Sequence, residues 1–101
     1  MILAYITCKN KAEAKKISSY LLKRRLVACV NMFPISSMYW WNKKIVSDRE
    51  IVVIAKTIEK NYNKVKSAVK KIHSYAIPCI LRIDSLPNKE YLNWVKESIK
   101  K

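Results

Sequence analysis

The chain has no glycine in 101 residues, and this constrains its fold more than any other feature. Glycine-rich phosphate cradles of the P-loop or dinucleotide-binding kind are excluded, because both need glycine for tight turns and close backbone approach. Any turn that needs a positive φ has to use Asn or Asp, which tolerate that region better than other residues. Asn42, Asp48 and Asn88 are the candidates.

The apolar pattern between those points alternates between two periods. Ile2 to Cys8 is an apolar, β-branched and aromatic run that reads as a buried strand. Asn10 and Glu13 then have the spacing of a capping box, and Ala14, Ile17 and Leu21 follow on one helical face. Val27 to Phe33 is strand-like; Pro34 removes a ladder donor and so marks a bulge or an edge. Ser36 to Trp41 and Lys44 to Ser47 form a long hairpin about Asn42-Lys43, with Tyr39-Trp40-Trp41 near its tip. Within Glu50 to Thr57, Ile51 to Ala55 are all apolar, so this strand must be central or covered on both faces.

A second helix is expected from about Lys60 to His73, with Tyr62, Val65, Val69 and Ile72 inward. Cys79 to Leu86 reads as a strand, and Asn88 caps a terminal helix with Tyr91, Leu92, Val95 and Ile99 inward. The order βαββαβ plus a final helix predicts an α+β, ferredoxin-like sandwich, one domain spanning residues 1–101. A core of this size is marginal when isolated. The hairpin's exposed edge and tryptophans suggest pairing with another chain, so a homo-oligomer is expected.

Composition narrows the function. No apolar run approaches the roughly 20 residues that span a bilayer. The N-terminus reads as a first strand and not as a signal peptide, so the cytoplasm is the expected location. Cys8, Cys29 and Cys79 make no C-x-x-C pair, which argues against a disulfide framework or a zinc ribbon. The net charge is +14, but it is spread from Lys9 to Lys101, as expected of a solvated surface more than of a dedicated polyanion site. Ferredoxin-like sheets do bind RNA through aromatic platforms, yet the glycine-containing RNA-binding motif is missing, so a basic nucleic-acid-binding domain ranks last.

No catalytic pattern is present, and the single histidine has no Ser-acid partner in sequence. Two features bear chemistry. His73 sits at the junction of the second helix with the last core strand, where it either caps helix carbonyls beside Tyr75 or offers a metal- or anion-binding nitrogen. Cys8 ends the first strand. As core it is a small hydrophobe; as a thiolate beside an imidazole it would suit copper or zinc, with a third ligand from elsewhere.

Ala28-Cys29-Val30-Asn31, Tyr39-Trp40-Trp41, Lys56-Thr57, His73-x-Tyr75-x-x-Pro78 and Tyr91-Leu92-x-Trp94 occur in an order that resembles CutA proteins over nearly the whole chain. The resemblance implies a ferredoxin-like protomer in a tight homotrimer, hairpins paired across subunits and clefts like those of PII signalling proteins. It further implies tolerance of copper and other divalent cations, and no enzymatic activity. Carried over by position, Cys8 and His73 are metal ligands, and Lys56, His73 and Tyr75 line an intersubunit cleft with Trp41 as an apolar wall. The partners implied are the chain itself and a metal ion or small anionic effector. Departures from the family pattern fall at Ser74, Ala76 and Lys43, where a proline, an acidic or polar residue and a glycine are usual, and at Ile72, where some members have a second histidine. A PII-like effector sensor or scaffold with incidental metal binding is the alternative.

Overall fold

The computed structural model describes all 101 residues, Met1–Lys101. The elements run β1 (Ile2–Cys8), α1 (Lys11–Lys23), β2 (Cys29–Trp41), β3 (Lys44–Thr57), α2 (Glu59–Ile72), β4 (Ile80–Asp84) and α3 (Lys89–Ser98). The strands form one antiparallel sheet in the order β2-β3-β1-β4. This is the α+β, ferredoxin-like arrangement that the periodicity predicts. No helix is long and apolar enough to cross a membrane.

The core follows from register. Ile2, Ala4, Ile6 and Cys8 of β1 pair with Thr57, Ala55, Val53 and Ile51 of β3, so these side chains share one face. Ile17 and Leu21 of α1 and Val65 and Val69 of α2 are fully buried against that face. The opposite face carries Leu3, Tyr5 and Ile54 together with Leu81 and Ile83 of β4. Leu81 and Ile83 are exposed, and α3 covers only part of this side, with its own Val95 and the C-cap Ile99 buried.

Local chemistry explains where the elements stop. Asn10 Oδ1 accepts the Glu13 N–H at 2.9 Å, as a capping box requires, but the Glu13 carboxylate reaches back to Lys9 N–H instead of Asn10 N–H. α1 ends in a Schellman motif: Leu26 N–H donates to Leu21 C=O and Arg25 N–H to Leu22 C=O. The left-handed residue that this motif needs is Arg25, at φ 56°. At the hairpin tip Asn42 and Lys43 take φ 49° and 63°, giving a two-residue turn.

Sequence reasoning was therefore right about Asn42 and wrong about Asp48, which lies within β3, and Asn88, an N-cap at φ −62°. Arg25 and Lys43 adopt the left-handed region without being Asn or Asp, because flanking hydrogen bonds outweigh a local cost of about 1–2 kcal/mol. Pro34 does not interrupt β2, since β2 is an edge strand and a missing donor there breaks no ladder. β3 is one unbroken strand from Lys44, and β4 is shorter than expected, beginning at Ile80 and ending at Asp84.

Candidate functional site

The carboxyl end of β1, the first turn of α1 and the segment after α2 meet at one edge of the helix layer. They bring Cys8 Sγ, a Glu13 carboxylate oxygen and a His73 ring nitrogen within 4.8 Å of one another. Cys8 and Glu13 are buried and His73 is half-buried. Antiparallel pairing of β1 with β3 and β4 fixes the position of Cys8, the capping box fixes Glu13, and the end of α2 fixes His73.

His73 and Glu13 already have internal work. His73 Nδ1 accepts the Tyr75 N–H at 3.0 Å, so Nε2 carries the proton and donates it to Thr7 C=O at 2.8 Å. Both ring nitrogens are thus engaged, and the ring ties the α2–β4 junction to β1. Glu13 accepts Lys9 N–H on Oε1 at 2.9 Å and Ser74 N–H on Oε2 at 3.0 Å. Burial alone would raise its pKa; the bonds from Ser74 and Lys9 and the nearby His73 more than offset this and hold it below the usual carboxylate range. Burial pushes the Cys8 thiol up to about 12, with the negative charges of Glu13 and Glu50 adding to the shift, so it is protonated at neutral pH.

A second pair extends the cluster. Tyr75 lies tilted against His73, ring centroids 4.7 Å apart, and its hydroxyl donates to Glu50 Oε2 at 2.7 Å. Burial, then the bond and charge of Glu50, raise the Tyr75 phenol far above the ordinary tyrosine value. Glu50 also lines an open cavity of about 540 Å³ with Lys9, Lys11 and Arg49, so the cluster has a cationic mouth. Sequence reasoning missed Glu13 as a donor, treating it only as a cap, and missed Glu50 altogether. A capping carboxylate five residues after a strand-end cysteine was the available signal for Glu13; nothing in the spacing of Glu50 and Tyr75 announced their bond.

Cys8, His73 and Tyr75 are therefore brought together, and Lys56 and Trp41 are not. Lys56 pairs with Leu3 and Cys29 at the far end of β3, about 17 Å along the strand from Ile51, the partner of Cys8. Its Nζ lies 5.2 Å from the centre of the Tyr91 ring of α3. Trp41 pairs with Lys44 at the other extreme, about 40 Å from Lys56 along β3 in a molecule 45 Å long. These two residues can share a cleft only when they come from different chains.

The donor set fits a borderline cation by chemistry: sulfur, imidazole nitrogen and carboxylate oxygen, two of them anionic once the thiol ionises. A bound ion would have to take a ring nitrogen from its backbone partner and expel the thiol proton.

The sequence profile of a family described as CutA1 divalent ion tolerance protein matches residues 2–98. The divalent-cation tolerance protein CutA of Archaeoglobus fulgidus is 42% identical over 96 residues, 94% of each chain. That of Pyrococcus horikoshii is 40% identical over 102 residues, covering both chains completely. Among solved structures, one described as the periplasmic divalent cation tolerance protein CutA from A. fulgidus superposes with a TM-score of 0.96 at 40% identity, covering 99% of this chain and 100% of that one. CutA1 from Oryza sativa gives 0.93 at 34% identity, covering 99% and 94%.

Proposed function

Because the chain belongs to the CutA1 divalent ion tolerance protein family, we propose that it acts without catalysis, as a homotrimer that holds copper or another divalent cation at Cys8, Glu13 and His73. The carrying observation is the convergence of those three donors from three separate elements within 4.8 Å. Assembly is supported by the open apolar face of β4 and by the hairpin, whose Met38 and Trp40 are 74% and 71% exposed. The reducing cytoplasm is the compartment we assign, since it would keep Cys8, Cys29 and Cys79 as thiols.

The ligand chemistry gives the binding a signature. The thiol ionises only when the cation displaces its proton, so each binding event releases one proton and affinity rises with pH. A copper(I) competition titration against a chromophoric chelator, under reducing conditions, tests this in the native protein and in a Cys8→Ser/His73→Ala variant of unchanged light-scattering mass. Tight, pH-dependent binding that disappears in the variant is expected. Equal, weak binding by both would refute the metal site.

A second reading is favoured by one observation: both His73 nitrogens and both Glu13 oxygens are already hydrogen-bonded. In it the cluster is structural, and a PII-like cleft between chains takes a small anionic effector through Lys56 of one chain with Tyr75 and Trp41 of others. Equal, weak copper binding by the native protein and the variant in that titration is the result that would favour it.

A further inference from the structure

At the end of the sheet away from Cys8, a second cavity of about 640 Å³ opens between the start of α2 and the end of α3. Its position follows from register: Thr57 pairs with Ile2 and Ile51 with Cys8, so the two sites lie about 20 Å apart along β3. The volume falls within the range usual for small-molecule sites. Its charged lining is entirely positive: Arg25, Lys60, Lys64, Lys96, Lys100 and Lys101, with no acidic side chain. Ile58 and Ile99 form an apolar patch among them.

Much of that charge lacks a counter-charge within the fold. Glu59 faces Arg82 at 3.2 Å and Glu97 faces Lys100 at 3.2 Å, leaving Lys60, Lys64 and Lys96 in no ion pair. Arg25 and Lys96 have a structural use: Arg25 Nη1 donates to Ser98 C=O at 2.8 Å, and Lys96 lies in the last turn of α3, where the helix end favours cations. Lys60 has no such use. It lies in the first turn of α2, where the helix end is positive and a cation is disfavoured. The Arg25 backbone, fixed at φ 56° by the Schellman bonds, and the Asn61 amide, bonded to Leu26 C=O at 3.3 Å, hold the cavity wall in place before any ligand arrives.

We propose that this cavity binds a small, multiply charged phosphate compound, with Lys60 and Lys64 meeting phosphate oxygens from α2 and Lys96 meeting them from α3. Several cations converging on one concavity favour a ligand with several linked phosphates over a single phosphate, because each added charge can meet another of the unpaired ammoniums of Lys60, Lys64 and Lys96. The site is independent of the cation site proposed above.

Inorganic tripolyphosphate is the probe, titrated calorimetrically at about 0.15 M salt, where diffuse surface attraction is screened within roughly 8 Å. Saturable binding with one site per chain is expected, and monophosphate should bind at least about ten-fold more weakly. Lys60→Gln/Lys64→Gln should weaken tripolyphosphate binding about ten-fold or more, Lys60→Arg/Lys64→Arg should retain it, and Lys15→Gln/Lys16→Gln on α1 should leave it within two-fold. Tripolyphosphate should also raise the Tm of the native protein more than that of the Gln pair, which ties the loss to binding and not to folding. Equal weakening by both Gln pairs, or no saturable binding at this salt, would overturn the proposal. Tighter binding of a 20-nucleotide DNA strand that both Gln pairs reduce alike would overturn it too, pointing to a polyelectrolyte surface.

Discussion

Glu13→Gln separates the structural role of the donor cluster from any role in ligand binding, and its size can be worked out. The carboxylate accepts two backbone N–H groups, from Lys9 and Ser74, from a side chain only 7% exposed. A hydrogen bond to a charged group contributes about 1.5–3 kcal/mol. Glutamine keeps the shape and one acceptor oxygen, but turns an NH₂ toward the other N–H, so one charged bond is lost and the second becomes neutral. Both donors are only partly buried, which places the expected loss at about 2–3 kcal/mol at pH 7. In a 101-residue chain that corresponds to a Tm lower by roughly 10–20 °C at fixed chain concentration. The sign with pH follows from the lowered Glu13 pKa. Its stabilisation is present above the usual carboxylate value of 4.5 and is lost as pH falls through the lower folded-state value, so the gap between native and variant should close there. Thermal melts followed by circular dichroism at pH 7 and pH 3 check both statements. A variant within about 0.5 kcal/mol of native at pH 7, or a gap equal at both pH values, would refute this reading of the junction.

Three further perturbations have defined outcomes. Cys8 should resist alkylation by iodoacetamide in the native protein at pH 8, given its burial and a thiol pushed up to about 12, and peptide mass spectrometry would detect labelling at a free-thiol rate that contradicts this. Tyr75→Phe removes the 2.7 Å bond to Glu50, a carboxylate 8% exposed, and should cost about 1–3 kcal/mol in urea unfolding; a loss below about 0.5 kcal/mol would mean that solvent replaces the hydroxyl. Lys43→Gly should stabilise by about 0.5–1 kcal/mol, because relief of the left-handed backbone at φ 63° exceeds the added unfolded-state entropy. A destabilised variant in the same urea assay would show that turn to be unstrained.

What the sequence revealed and what it hid have separate physical causes. Ile2–Cys8 and the apolar run at Ile51–Ala55 carry period-two and two-faced burial that only central strands satisfy, and these became the paired strands of the core. Val65 and Val69 show the helical period just as directly. Arg25 could not be anticipated, because its left-handed backbone is imposed by hydrogen bonds to Leu21 and Leu22 and not by its own preference. At the donor cluster, Cys8 and His73 were legible as chemistry-bearing types at element ends. The Glu13–Ser74 and Glu50–Tyr75 bonds span 61 and 25 residues, and only the folded topology creates them.

The long hairpin has a further consequence. No residue from Ala28 to Arg49 is buried, yet the ladder from Cys29↔Lys56 to Trp41↔Lys44 is continuous. In a solitary chain the outer rungs can open without exposing any core, so their amide hydrogens would exchange quickly while those of β1 wait for global unfolding. Once a second copy covers the hairpin, the same amides exchange only when the copies separate. If copies pair in that way, the exchange rate at Tyr39 and Trp41, whose N–H groups face β3, would be a built-in gauge of subunit dissociation, readable without any label.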